Sequence, residues 1–210
     1  MRQPTLSAVT DDPVSDEDLL RLVSDGDRDA FVALYRRYQD VVYGFAFQMS
    51  GSQTAAEDIT QETFLRLSRV AQRYRPRQAR FSTYLYGMVR HLTRRRLRRD
   101  RVFVALGSRS VDTWSAREPL VEQSLVEAAS KQQTIQRVRR AVLSLPPRYR
   151  EVIVLCDLHG RGYAEAAAII GCAVGTVRSR LHRGRDLLRQ KLEPDGMTEV
   201  EGKRRVTYGE

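Results

Sequence analysis

Cysteine is nearly absent, with Cys156 and Cys172 the only two in 210 residues. Two thiols cannot build the multi-bridge framework of a small secreted domain, so the chain must be held by packing. Long apolar runs are missing as well. No stretch approaches the roughly 18–20 apolar residues needed to span a bilayer. The opening residues, MRQPTLSAVTDDPVSDED, hold no apolar leader core before their acids begin. The expectation is a cytoplasmic protein with no membrane insertion. Strict alternation of apolar and polar residues, long enough to demand a sheet, is also lacking. No G-x-S-x-G, P-loop, H-E-x-x-H or paired-carboxylate arrangement occurs, so no catalytic residue and no cofactor is expected.

Positive charge is plentiful. Lys and Arg number 36 against 26 Asp and Glu, a net charge of +10. Such an excess points to a polyanionic partner, either nucleic acid or an anionic membrane surface. The sign is unevenly spread. Residues 11–29 hold eight acids against Arg21 and Arg28, whereas residues 90–101 hold seven arginines against Asp100. An acidic arm followed by basic faces fits this pattern.

Apolar residues recur at three- and four-residue steps along most of the chain, which predicts helices. Leu19, Leu20, Leu22 and Val23 mark a short first helix started by Ser15 or Asp16. Asp27 is the expected N-cap of a second, which closes at Gly51. Thr54 and Glu57 have capping-box spacing for a third, and a fourth runs from Phe81 to about residue 100. The fold class predicted is all-α: two small helical domains joined by a flexible linker, the second containing a helix-turn-helix. The expected divisions are a disordered acidic arm over 1–14, a helical domain over 15–100, a linker over 101–130, a second helical domain over 131–192 and a mobile tail over 193–210. The linker's apolar residues suggest docking on a partner or packing on its own domains.

The stretch GCAVGTVRSRLHRGRDLL, from Gly171, carries the sharpest signal. A helix-turn-helix needs a small residue at the helix crossing, a turn residue tolerant of positive φ and apolar anchors on its second helix. Ala167, Gly171 and the pair Val177–Leu181 meet those needs. Thr176, Arg178, Ser179, His182, Arg183 and Arg185 then point outward, with Arg180 to the side. Guanidiniums on such a helix suit the O6 and N7 atoms of guanine in a major groove.

Two further surfaces stand out. In RYRPRQARFSTYLYGMVRHLTRRRLRR, Tyr74, Phe81, Tyr84 and Tyr86 are interleaved with arginines, the mixture that unstacked bases require. The alternative is tyrosines half-buried in a core beside a solvated basic face. Asp58, Gln61, Glu62 and Arg66 form a polar strip beside Phe64, either a solvated helix face or a protein-docking strip. Cys156, His159, Cys172 and His182 match zinc in number but not in spacing, so no metal is expected. Cys156 reads more simply as a core residue.

The stretches GDRDAFVALYRRY, AEDITQETFLRL, LPPRYREVIVLCDLHGRGYAEAAAIIG and VGTVRSRLHRGRDLLR together resemble the extracytoplasmic-function (ECF) sigma factors of bacterial RNA polymerase. The resemblance covers about residues 15–192. It implies that the first domain binds core RNA polymerase, at its β′ clamp and β subunits, and opens the promoter −10 element. The second domain would read the −35 element as duplex. By the same resemblance, Asp58, Gln61, Glu62 and Phe64 lie on the polymerase-binding helix. The loop with Tyr74, Arg77, Gln78 and Phe81, followed by Tyr84 and His91, would take the −10 bases. Arg178, Ser179 and Arg183 would read −35 bases, with Thr176, Arg180 and His182 beside them. An anti-sigma factor is a common partner in that family. The family usually has Trp at Tyr84, Asn at His91, Asp at Arg95, Pro at Ala173 and Ile at Ala166. The residues alone also fit a stand-alone helix-turn-helix regulator whose first domain dimerises, or an RNA-binding adaptor.

Overall fold

A computed structural model describes residues 14–71, 74, 80–105 and 125–193, the side chains of 101–105 and 125–131 excepted. The described residues are helical and contain no strand. In chain order the helices are α1 (Asp16–Ser24), α2 (Arg28–Ser50), α3 (Gln53–Val70), α4 (Phe81–Ala105), α5 (Leu125–Leu143), α6 (Pro147–Ile153), α7 (Tyr163–Ile170) and α8 (Val174–Leu192). A single π-helical turn, Val154–Leu158, extends α6.

Local chemistry sets the helix ends. Ser15 caps α1 by accepting from the Asp18 amide, and three acids in the first turn suit the positive end of the helix dipole. Asp27 caps α2 through the amides of Asp29 and Ala30. Gly51 ends that helix in the left-handed region at φ 73°, where a side chain would be strained. The cap of α3 is Ser52, which accepts from the Ala55 amide, rather than Thr54. Serine at 52 reaches the third amide without Thr54's branched side chain having to leave the helix. α4 continues past the expected end at 100, and α5 begins at Leu125, so both edges of the expected 101–130 linker are helical. The expected arm 1–14, apart from Val14, and the tail after Glu193 lie outside the described residues.

α1 to α4 pack around Leu20, Leu34, Phe45, Leu67, Phe81, Leu85 and Leu92, all fully buried. Each such side chain contributes about 1.5–3 kcal/mol relative to exposure. α5 to α8 pack around Leu145, Ile153, Leu155, Val177 and Leu181. The two units meet directly, and their buried side chains form one cluster. Ser82, Tyr86 and Arg90 lie at four-residue steps on one stripe of α4, which therefore faces the second unit. Ser82 meets Glu165 at 3.4 Å, Tyr86 meets His159 at 2.8 Å, and Arg90 meets Glu151 at 2.6 Å. Arg150 reaches across in the other direction, donating to the Met49 carbonyl at 2.7 Å.

The π-helical turn delivers the His159 ring. The His159 amide reaches the Val154 carbonyl at 3.0 Å, five residues back. Nε2 lies 2.9 Å from Gln48 Oε1, which only accepts, so Nε2 carries the hydrogen and Nδ1 accepts from the Tyr86 hydroxyl. Burial, with Arg161 nearby, lowers the imidazole pKa to about 4. The ring is neutral at pH 7.

Candidate nucleic-acid and protein-binding surfaces

The helix-turn-helix is built from α7 and α8. Gly171 closes α7 at φ 75°, its amide bonded to the Ala167 carbonyl at 2.8 Å. The Cys172 amide shares that acceptor at 3.1 Å, which tightens the turn. Ala166, Ala167, Ile169 and Ile170 are the buried residues of α7, which packs on both α8 and α4. On α8 the buried seam is Val177, Leu181 and Gly184. Gly184 was not singled out in the sequence. A Cβ there would lie 3.1 Å from Ile153 Cγ1, so glycine allows α8 to approach α6 closely. Its seven-residue spacing from Val177 is the signal that could have found it. Ala173 sits just before α8 at φ −67°, the angle a proline ring fixes.

The opposite face of α8 presents Arg178, Ser179, His182 and Arg183 to solvent, with Thr176 and Arg180 half-buried. Arg178 and Arg183 have no carboxylate partner among the described residues, and Arg178 stands 6.0 Å over the Tyr163 ring. Arg185 is exposed but committed. It makes two bonds to Asp157, at 3.0 and 2.6 Å, which hold its pKa above the usual arginine range. Ser179 donates to the Thr176 carbonyl at 3.1 Å, and His182 lies 3.5 Å from Asp186. Two unpaired guanidiniums one and a half turns apart thus dominate this face.

The aromatic surface of the first unit differs from expectation. Phe81 and Tyr74 are buried, 1% and 8% exposed. Phe81 is packed edge-on by Tyr38 and Tyr74, at 5.2 and 6.0 Å, so neither Phe81 nor Tyr74 offers a free face to a base. Tyr86 is buried against the second unit. Sequence periodicity could not separate these cases, because adjacent aromatic residues near a helix start face different ways. Tyr84 is half-buried, braced by Tyr74 at 5.4 Å, and His91 is exposed. Arg77 and Gln78 lie outside the described residues.

On α3, Gln61 is exposed, Glu62 pairs with Arg66 at 2.7 Å, and Asp58 pairs with Arg96 of α4 at 2.9 Å. Phe64 is only 3% exposed. It forms the floor of a groove of about 540 Å³ between α2 and α3, with Phe31 and Tyr35 at ring distances of 6.4 and 4.7 Å. Tyr35 and Leu65 stand on its rim, 37% and 49% exposed, beside Asp40, Glu57 and Gln61. Tyr35 and Leu65 both belong to the apolar sets of their helices, so periodicity alone assigns them to the buried side, and the structure corrects this by leaving them at the surface. Large apolar side chains left at a groove mouth are what a partner helix requires.

The zinc quartet is not assembled, since both ring nitrogens of His159 are bonded to Tyr86 and Gln48. Cys156 and Cys172 are free thiols. Burial, aided by Asp157, raises the Cys156 pKa.

Two family models match this chain. Sigma-70 region 2 matches residues 34–102, across α2 to α4, and sigma-70 region 4 matches residues 135–188, across α5 to α8. The chain is 38% identical over 160 residues to the ECF RNA polymerase sigma factor SigE of Mycolicibacterium smegmatis. That match covers 76% of this chain and spans 60% of the relative's length. It is 32% identical to the ECF sigma factor SigW of Bacillus subtilis, covering 82% of this chain and 94% of that one. Among solved structures, RpoE of Bartonella quintana, crystallised with the anti-sigma factor NepR, superposes with a TM-score of 0.64 at 25% identity. That superposition covers 79% of this chain and 98% of the other.

Proposed function

The chain belongs to the ECF sigma factors of bacterial RNA polymerase, and we propose that it does the family's work through the surfaces described above. It binds core RNA polymerase and directs promoter-specific initiation of transcription. Polymerase supplies the chemistry in the cytoplasm, and this chain supplies the address and the strand opening.

One observation carries the assignment of roles: the two sigma-70 regions fall, in order, on the two helical units. The α2–α3 groove is the polymerase-docking site. Phe64 forms its floor, Tyr35 and Leu65 its apolar contacts, and Asp58, Gln61 and Glu62 its polar border. The exposed face of α8 reads the −35 duplex. Arg178 and Arg183 take base edges there, while Thr176, Ser179, Arg180 and His182 flank them. The −10 bases fall to Tyr84, braced by Tyr74 with Phe81 behind it, to His91, and to Arg77 and Gln78 of the preceding stretch. An anti-sigma factor is the regulatory partner, as NepR is for the Bartonella protein. A stand-alone regulator would use the α2–α3 groove, if at all, for a second copy of this chain, and would not co-elute with core polymerase.

The test is gel filtration of the purified chain with bacterial core polymerase. Co-elution, lost on Leu65→Asp, supports the assignment. Separate elution of the wild-type chain at low salt contradicts it.

A further inference from the structure

A cleft of about 590 Å³ opens between the two units, and five arginines line it. Arg90, Arg94 and Arg98 come from α4 of the first unit. Arg148 at the start of α6 and Arg180 of α8 come from the second. One carboxylate shares the space, Glu151, and Arg90 already neutralises it at 2.6 Å. Arg94, Arg98, Arg148 and Arg180 have no carboxylate partner among the described residues, although carboxylates pair with many of the chain's other arginines.

Four arginines without a carboxylate partner around one concavity, Arg148 lying over the Tyr149 ring at 4.7 Å, focus a positive potential there. They persist because the packing of α4 on the second unit holds their backbones in place. A guanidinium's planar fork matches the paired oxygens of a phosphate. The volume is that of a small-molecule site, and its concave shape differs from the protruding helix that a duplex groove receives. Charge spaced along a thin chain answers the arrangement better than a single ion, since the arginines are spread over three helices.

We propose that this cleft binds a linear oligophosphate, three or more linked phosphates, either free or as the tail of a nucleotide. The ligand bridges the units, because neither supplies the site alone. Binding only when α4 is packed on the second unit, it stabilises that packing by mass action. Arg180 flanks the −35-reading residues, and Arg94 and Arg98 belong to the basic stretch of residues 73–99 read as suited to unstacked bases, so an occupied cleft withdraws them from a promoter. That consequence rests on the sigma-factor assignment, whereas binding itself does not.

Calorimetric titration of the full chain at low salt, without DNA, tests the proposal with sodium tripolyphosphate, ATP and orthophosphate. Tripolyphosphate should bind one per chain, and orthophosphate at least about tenfold more weakly. The double variant Arg94→Gln/Arg148→Gln should lose about tenfold in tripolyphosphate affinity. The double variant Arg28→Gln/Arg36→Gln, an equal change of charge at exposed sites on α2, should lose less than about twofold. ATP binding more tightly than tripolyphosphate identifies a nucleotide tail as the ligand, and weaker ATP binding identifies free oligophosphate. Absence of tripolyphosphate binding, several ions per chain, or an equal loss in Arg28→Gln/Arg36→Gln would overturn the proposal.

Discussion

The Tyr86 hydroxyl of α4 donates to His159 Nδ1 at 2.8 Å, across the junction between the two helical units. The ring's other nitrogen is bonded to Gln48, so one neutral imidazole ties the second unit to two helices of the first. Protonation would give Nδ1 a hydrogen facing a hydroxyl that now has to turn its own away. It would also place a charge beside Arg161.

Stability should therefore depend on pH through His159. Its folded pKa of about 4 lies below its ordinary value of 6.5, so between those values the unfolded chain binds a proton that the folded chain refuses. Stability is full above pH 6.5 and falls as pH drops toward 4. Discounted for the ring's partial exposure, the loss is on the order of 2 kcal/mol. Urea unfolding of wild type and His159→Gln at pH 7.5 and 4.5 measures it. The variant should show a smaller decline, and equal declines would remove His159 from the account.

Arg90 and Glu151 form the most buried ion pair among the described residues. Removing one partner strands the other charge, so Arg90→Met should cost about 3 kcal/mol of stability. The double variant Arg90→Met/Glu151→Leu should recover most of that loss, because no charge is then left buried. Additive losses in a denaturation cycle would show that the pair is not coupled.

Arg178→Ala should relax −35 preference by about 1–3 kcal/mol while leaving polymerase binding intact. Arg185→Ala should affect discrimination much less, since Asp157 already holds that guanidinium. Gel-shift affinities for matched and mismatched −35 duplexes separate the two. An equal loss on both duplexes for Arg178→Ala would reduce it to a phosphate contact.

Leu65→Asp should weaken the polymerase complex at least about tenfold while changing stability by less than about 0.5 kcal/mol, because the side chain stands on the surface. Phe64→Ala would cost about 3–5 kcal/mol by hollowing the core, so only the rim variant isolates docking. Competition binding against unlabelled wild-type chain gives the first quantity and thermal unfolding the second.

What could be read before the structure follows from range. Caps and helix faces depend on residues within a turn or two, so Asp27, Gly51, Gly171 and the Val177–Leu181 seam stood out in the sequence. The junction depends on residues far apart in the chain. Gln48 meets His159 across 111 positions, and Arg90 meets Glu151 across 61. α4 buries Leu85, Val89 and Leu92 in its own unit and turns Tyr86 and Arg90 to the other, and a single period cannot show two buried faces. The aromatic cluster misled for a related reason: Tyr74 and Phe81 look available to bases until Tyr38 is seen to cover the ring of Phe81.

The measurement that bears most directly on the central claim is transcription reconstituted from this chain, bacterial core polymerase and a pool of fragments from the host genome, with transcript starts sequenced. The account predicts starts that need both proteins and share a −35 element and a −10 element at fixed spacing, with Arg178→Ala spreading the −35 preference. Duplex binding by the chain alone, with no start that depends on core polymerase, would contradict it.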